Sequence, residues 1–264
     1  MPKITFAVIT KNEERQIGEC LACASWADDI LVVDSFSSDR TVEIASNFTD
    51  KVYQREFVSF AQVRNDALDL AQGDWVLFID ADERVTPELA AEVRAVTESN
   101  EKALSGFWIP RKDIIWGKWI RYGGWYPDYQ LRLLRLGKAR YDENRKVHEL
   151  VNLDGEAGYL TDPLIHYNYS SIRQFLRKQE VYSSLEAKIL HDQGIKAKPH
   201  NFVLQPLRAF KRRYLQLRGF RDGGHGLLLS VLLAYYEFVT YRKLLALSKA
   251  QISPQRHGDT EGQD

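Results

Sequence analysis

Cysteine is almost missing from this chain. Two occur among 264 residues, Cys20 and Cys23, and no second pair is present to complete a zinc site or to build a disulfide framework. Ile17, Cys20, Leu21 and Ala24 fall at helical spacing, which turns Cys20 toward a core rather than toward redox chemistry. So few cysteines, with no signal-like apolar segment at the start, predict a reducing, cytoplasmic setting. Net charge is missing as well, because 36 Lys and Arg offset 36 Asp and Glu. Long apolar runs are absent too. The longest, residues 226–239, is followed by Arg242 and Lys243 and falls short of the roughly 20 residues that a spanning helix requires. No internal repeat is visible, and 264 residues suffice for one large domain with an appendage.

What the chain does have is a series of short apolar runs that stop at polar loops. Residues 4–9 run into Thr10-Lys11-Asn12-Glu13-Glu14, and residues 30–33 into Asp34-Ser35-Phe36-Ser37-Ser38-Asp39-Arg40-Thr41. Helical patterns at 42–48, 60–71 and 87–96 alternate with these runs, which predicts βαβ units around a mostly parallel sheet. Such sheets bind ligands beyond the carboxyl ends of their strands. The third run, residues 75–79, ends in Asp80-Ala81-Asp82-Glu83. Alternation along a strand puts Asp80 and Asp82 on one face, where they suit a hard divalent cation, Mg2+ or Mn2+, completed by substrate phosphate and water. A strand-to-turn transition carrying solvated acids is the alternative for Asp-x-Asp taken alone.

Together, Val8-Ile9-Thr10-Lys11-Asn12-Glu13, the 32–41 segment, Arg64-Asn65 with Gly73-Asp74-Trp75, and Asp80-Ala81-Asp82-Glu83 resemble family 2 of the inverting glycosyltransferases over residues 1–170. The segment from Tyr122 to Leu133 is similar to the branch that glucosylates lipopolysaccharide core. The resemblance implies a GT-A fold: an α/β, Rossmann-like central sheet flanked by helices. It also implies a nucleotide pocket of Thr10, Asn12, Glu13, Asp34 and Arg64, with Asp80 near ribose and metal and Asp82 on the metal. Arg132 and Arg135 are candidates to hold phosphate, with charges on the strand surface as the equal alternative. An inverting transfer also needs a base to take the acceptor proton; Asp128 is the first candidate and Glu149, in Val147-His148-Glu149, the second. A turn residue after Pro127 is the alternative for Asp128.

The expected organisation is a nucleotide-sugar-binding half over 1–98, an acceptor-binding half over 99–170, a basic amphipathic helical region over 171–250 and a disordered tail over 251–264. Trp116, Trp119 and Trp125 with Tyr122 and Tyr126 form either a loop that closes over the acceptor sugar or part of a core. Residues 173–249 hold 15 Lys and Arg against 5 Asp and Glu. Leu207, Phe210, Tyr214 and Leu217 recur on one helical face with Arg208, Lys211, Arg212 and Arg213 on another. With the apolar stretch that follows, this pattern predicts an element lying on an anionic membrane surface. Packing on the chain's own sheet or on a second subunit of a homo-oligomer is the alternative. Nothing resembles a specific nucleic-acid motif.

The expected activity is therefore metal-dependent hexosyl transfer with inversion, from a nucleotide sugar such as UDP-glucose to a lipid-linked glycan such as lipopolysaccharide inner core. The setting would be peripheral, on the inner face of the cytoplasmic membrane. Transfer to a polyprenyl phosphate is an alternative, as are a metal-dependent nucleotidyltransferase and a non-catalytic carbohydrate-binding module.

Overall fold

The structure, a computed structural model, describes residues 1–99, 104–143 and 151–252, the last three without their side chains. The first elements are β1 (Ile4–Thr10), α1 (Ile17–Ala22), β2 (Asp29–Asp34), α2 (Thr41–Ala45), β3 (Val52–Gln54), α3 (Phe60–Leu70) and β4 (Trp75–Asp80). β5 (Glu83–Arg84), α4 (Pro87–Glu98), β6 (Leu104–Ile115), β7 (Lys118–Trp119), β8 (Asp128–Arg135) and β9 (Ala139–Tyr141) follow. The chain then forms β10 (Val151–Leu153), β11 (Glu156–Tyr159), β12 (Leu164–Tyr169), α5 (Ile172–Asp192), α6 (Asn201–Phe210) and α7 (Gly224–Ile252). It divides into two compact units, residues 1–113 with 127–168 and residues 114–126 with the segment from 169 onward. Residues 114–126, expected with the acceptor-binding half, thus group with the helices.

The first unit is built on a sheet of order β3-β2-β1-β4-β8-β6-β12-β5. β3, β2, β1 and β4 pair in parallel, whereas β8 joins β4, and β6 joins β8, antiparallel. The α/β class is as expected, with the parallel pairing concentrated in the N-terminal half. The apolar runs are continuous because these strands are buried on both faces. Ile4, Phe6 and Val8 of β1 and Leu77 and Ile79 of β4 pack on one face with Ile17, Leu21, Leu89 and Val93 from α1 and α4. Ala7, Val76 and Phe78 pack on the other with Val63 and Ala67 of α3. Each such large side chain contributes about 1.5–3 kcal/mol by leaving water. Ser59 and Thr86 cap the N-termini of α3 and α4 by accepting from the Gln62 and Leu89 amides, each a contribution of about 1 kcal/mol. Cys20 is fully buried in this core, as its spacing implied.

The second unit has its own core of Ile115, Ile120, Tyr169, Phe175 and Leu229, with Trp116 and Trp125 packed against it. Those two tryptophans therefore resolve as core residues. Trp119 instead carries the Arg121 guanidinium 3.8 Å from its ring centroid. α6 continues into a turn of π-helix, Lys211–Gln216, and a 3-10 turn, Gly219–Asp222, before α7. A Cβ at Gly226 would lie 1.8 Å from the Gly219 carbonyl oxygen, so the start of α7 closes on this turn only through glycine. The basic face is smaller than expected. Arg213 turns inward, donating to the Gly123 carbonyl at 3.1 Å, and Tyr236 is buried with its hydroxyl on the Leu176 carbonyl. Among the described residues, no helix is long and apolar enough to cross a membrane.

Candidate active site

The ends of β1, β2 and β4 lie side by side because their register pairs Thr10 with Asp34 and Ile9 with Asp80. Beyond them, two loops lock together. Asn12 donates its amide to Ser37 Oγ at 2.8 Å and accepts the Ser38 amide at 2.8 Å, while the Glu13 amide reaches Thr41 Oγ1 at 2.8 Å. Asn12 adopts φ 56°, a conformation that asparagine tolerates better than most residues. Asp34 is fully buried and accepts from the Ser37 amide and hydroxyl and from Gln54 Nε2. Thr10, Asn12, Glu13 and Asp34, four of the residues expected at the nucleotide, thus lie along one rim, in which Asp34 and Asn12 shape the loops and Thr10 is buried beneath. Phe36, in the same rim, has φ 53° and is 55% exposed. A strained phenylalanine held out to solvent is a feature the sequence reading passed over.

Asp80, at the end of β4, faces two arginines. Arg132 of β8 engages both its oxygens, and Arg64 of α3 approaches to 3.5 Å. Arg64 is placed by its neighbour: Asn65 is buried and exchanges hydrogen bonds with the Tyr141 backbone, which sets the Arg64 guanidinium 5.4 Å from the Tyr141 ring centroid. Burial works against the charge on Asp80, but Arg132 and Arg64 outweigh it and hold this carboxyl well below the usual range. Arg135, the other phosphate candidate, pairs with Trp75 at the opposite end of β4. It is therefore a sheet-end charge rather than a site residue.

Glu83 is the hidden member of the cluster. It is fully buried, accepts the Asp80 amide at 2.9 Å and Arg132 Nη2 at 3.1 Å, and has Arg111 Nη1 at 3.6 Å. Burial pushes its carboxyl upward, with Arg132 pulling against that shift. Arg111 of β6 stands opposite Asp128 of β8 in register and donates Nε–H to Asp128 Oδ2 at 2.8 Å. Gln130 donates to the other Asp128 oxygen at 3.0 Å. Asp128 and Gln130 share one face of β8 by strand alternation, and the pairing with β6 skips a residue at Arg132. Five charged groups therefore alternate in sign from Asp80 through Arg132, Glu83 and Arg111 to Asp128.

Asp82 stands apart from this chain. Its Oδ2 lies 3.5 Å from Nε2 of His166, and His166 Nδ1 lies 2.6 Å from Asp113 Oδ1. β12 delivers the histidine by pairing antiparallel with β5, which sets His166 opposite Glu83. Asn168 Nδ2 completes the support, donating to Asp113 at 3.1 Å. Burial lowers the imidazole's affinity for a proton, but Asp113 and Asp82 more than compensate and raise its pKa to about 9. Neither His166 nor Asp113 had a motif to announce it; His166 is more than 80 residues from its partner Asp82 along the chain. Glu149, the second base candidate, lies outside the described residues.

On the Asp82 side the carboxylate alone suits a divalent cation. The imidazole beside it keeps its proton near neutral pH and stands as a second positive group, with Asp113 fixing the ring so that Nε2 faces Asp82. Among the described residues no group of three or more His, Cys, Asp or Glu is placed to hold a metal ion. An Mg2+ that works with phosphates is characteristically held by one or two protein groups. Asp80, with both oxygens on Arg132, is the less available of the two carboxylates.

Residues 5–167 match the model of glycosyl transferase family 2. The chain belongs to that family. This glycosyltransferase is 28% identical to the lipopolysaccharide core biosynthesis glycosyltransferase LpsC of Rhizobium meliloti, over 92% of its own length and 93% of the relative's. It is 30% identical to an uncharacterized glycosyltransferase of Rickettsia typhi, over 94% of the chain and 88% of that protein. Among solved structures it is similar to residues 1–349 of TarS from S. aureus in complex with UDP-GlcNAc, at 15% identity and a TM-score of 0.47, covering 94% and 92% of the two chains.

Proposed function

We propose that this glycosyltransferase moves a hexose, with inversion, from a uridine diphosphate sugar such as UDP-glucose to the sugar of a lipid-linked glycan of the lipopolysaccharide core type. The likeness to LpsC along nearly the whole chain supports the acceptor class. The observation that carries the chemistry is the pair Asp82 and His166, braced by Asp113 at the edge where β1, β2 and β4 end. Asp82 would hold Mg2+ or Mn2+, which supplies neutralisation of the charge that develops on the leaving diphosphate, and the protonated His166 adds positive charge beside it. Arg64 and Arg132 add positive charge next to Asp80. Phe36 offers an apolar face to the nucleobase. At the acceptor, the hydroxyl oxygen bonds to the anomeric carbon while the bond to the diphosphate breaks, and Asp128 takes the hydroxyl proton.

A second reading rests on the pairing of Asp128 with Arg111 and Gln130, which occupies both oxygens of the candidate base. A polyprenyl phosphate acceptor is already ionised and needs no base. One experiment tests both readings. Nucleotide sugars are screened for hydrolysis with and without chelator, and the active donor is then offered to a lipid-linked saccharide and to a polyprenyl phosphate. Release of nucleoside diphosphate that stops in chelator, with transfer to the saccharide, is the expected result. Release of pyrophosphate would identify a nucleotidyltransferase and overturn the proposal.

A further inference from the structure

The helical unit keeps apolar side chains in water that a stable fold would ordinarily bury. On α7, Leu227, Val231 and Tyr235 recur at i, i+4 and i+8, and this stripe is 44, 47 and 53% exposed. On α6, Val203 and Leu207 stand four residues apart and are 58 and 60% exposed. Between the helices the π-helical turn changes the register. Arg213 and Tyr214 face inward there, while Leu215 and then Phe220 emerge. Single exposed leucines need no explanation, but a stripe repeated on two helices and their connection does.

The exposed charges in the same segment are nearly all positive. From Asn201 to Phe238 there are six Lys and Arg and two acids, Asp222 and Glu237. Asp222 is buried, with its carboxylate held by the Tyr122 and Arg121 amides. Arg208, Lys211, Arg212, Arg218 and Arg221 are all exposed. A second copy of this chain is a poor occupant for such a surface, because a two-fold contact sets the same patch against itself and brings like charges together. An anionic surface with an apolar interior satisfies both features. With no helix able to span a bilayer among the described residues, the geometry left to this surface is to lie in the interface.

We infer that the face formed by α6, the π-helical turn and the first half of α7 docks on an anionic lipid bilayer. Leu207, Leu215, Phe220, Leu227 and Val231 enter the boundary of the acyl chains, and Lys211, Arg212 and Arg218 meet the headgroups. This differs from an amphipathic helix read by periodicity alone, since Arg213 and Tyr236 take no part. The inference does not depend on the identity of donor or acceptor sugar.

The test is flotation of the full chain with phosphatidylcholine vesicles, with and without phosphatidylglycerol, at low and high salt. The parent should float with the anionic vesicles. Lys211→Gln with Arg212→Gln and Arg218→Gln should weaken binding by roughly a hundredfold at low salt and little at high salt. Leu207→Gln with Leu227→Gln and Val231→Gln, all exposed positions that leave the core intact, should weaken it by about tenfold or more at every salt concentration. Donor hydrolysis should be unchanged in both sets, which separates failure here from failure of the glycosyl-transfer reading. A parent that does not float with anionic vesicles overturns the inference, as do variants that bind like the parent. A parent that is a dimer in solution and becomes a monomer in the leucine set, without floating, would assign the face to a second copy instead.

Discussion

His166 and Asp113 meet at 2.6 Å, and the opposite nitrogen of the same ring points to Asp82 at 3.5 Å. One buried carboxylate thus aims an imidazole at another carboxylate that is partly open to solvent. Held this way, the ring keeps its proton near neutral pH and pairs with Asp82 as a cation. Asp82→Asn should abolish Mn2+ binding in a calorimetric titration with UDP present, and Asp113→Asn, which removes a charge that holds the ring's proton, should lower the His166 pKa in an NMR titration. Mn2+ binding at the parental level in Asp82→Asn would remove the cation from this corner of the site.

Asp128 can be tested separately because it belongs to the other end of the charge chain. As the base, Asp128→Asn should lower kcat by roughly a hundredfold or more and leave the dissociation constant for the donor unchanged. If kcat stays at the parental value, the proton problem does not exist, and an acceptor that arrives ionised becomes the better reading.

Glu83 should matter for stability before it matters for turnover. Glu83→Ala strips the Asp80 amide and two arginines of a buried acceptor. Breaking such an arrangement costs about 3–5 kcal/mol, read as a fall in the denaturant midpoint. Glu83→Gln keeps an acceptor for the amide and should lose visibly less. Equal losses in the two variants would show that volume rather than polarity is what the site requires.

Phe36 presents the reverse case, an exposed side chain whose removal spares the core. Phe36→Ala should leave thermal unfolding within a degree or so of the parent, as surface substitutions do. It should weaken UDP binding by about 1–3 kcal/mol if the ring stacks on the base. Unchanged affinity by calorimetry would reduce the residue to loop geometry.

Gly226 is a backbone contact and nothing else. Gly226→Ala places a methyl against the Gly219 carbonyl oxygen, so the helical unit should lose its cooperative transition in circular dichroism. A variant that melts with the parent would mean that the start of α7 can shift at no cost.

Much of this architecture was legible in order along the chain. The parallel strands announced themselves as apolar runs because both of their faces are buried, and the rim residues followed because such strands end in loops at one edge. Helices with a clear apolar period, α3 and α4, were placed within two residues or so at their ends. Arg111, Asp113 and His166 were not legible. Each reaches the site through antiparallel pairing of β6, β8, β5 and β12, and pairing between strands far apart in sequence leaves no local period to read. The side on which Arg213 falls was not legible for a different reason: the π-helical turn after α6 holds more residues per turn than an α-helix, and a fixed 100° step then places Arg213 on the outer side.

The boundary between the two units crosses the chain three times, after residues 113, 126 and 168. The core of the helical unit includes Ile115 and Ile120 from the first of these excursions, beside Phe175 and Leu229 from the last. The helices therefore do not make a self-contained cassette. A chimera that exchanges only the stretch from 169 onward would receive helices whose apolar centre was shaped by another protein's loop, with a mismatch worth a cavity or an overpacked contact of a few kcal/mol. Exchange between relatives succeeds only if residues 114–126 travel too, so the loop and the C-terminal helices should diverge together across the family.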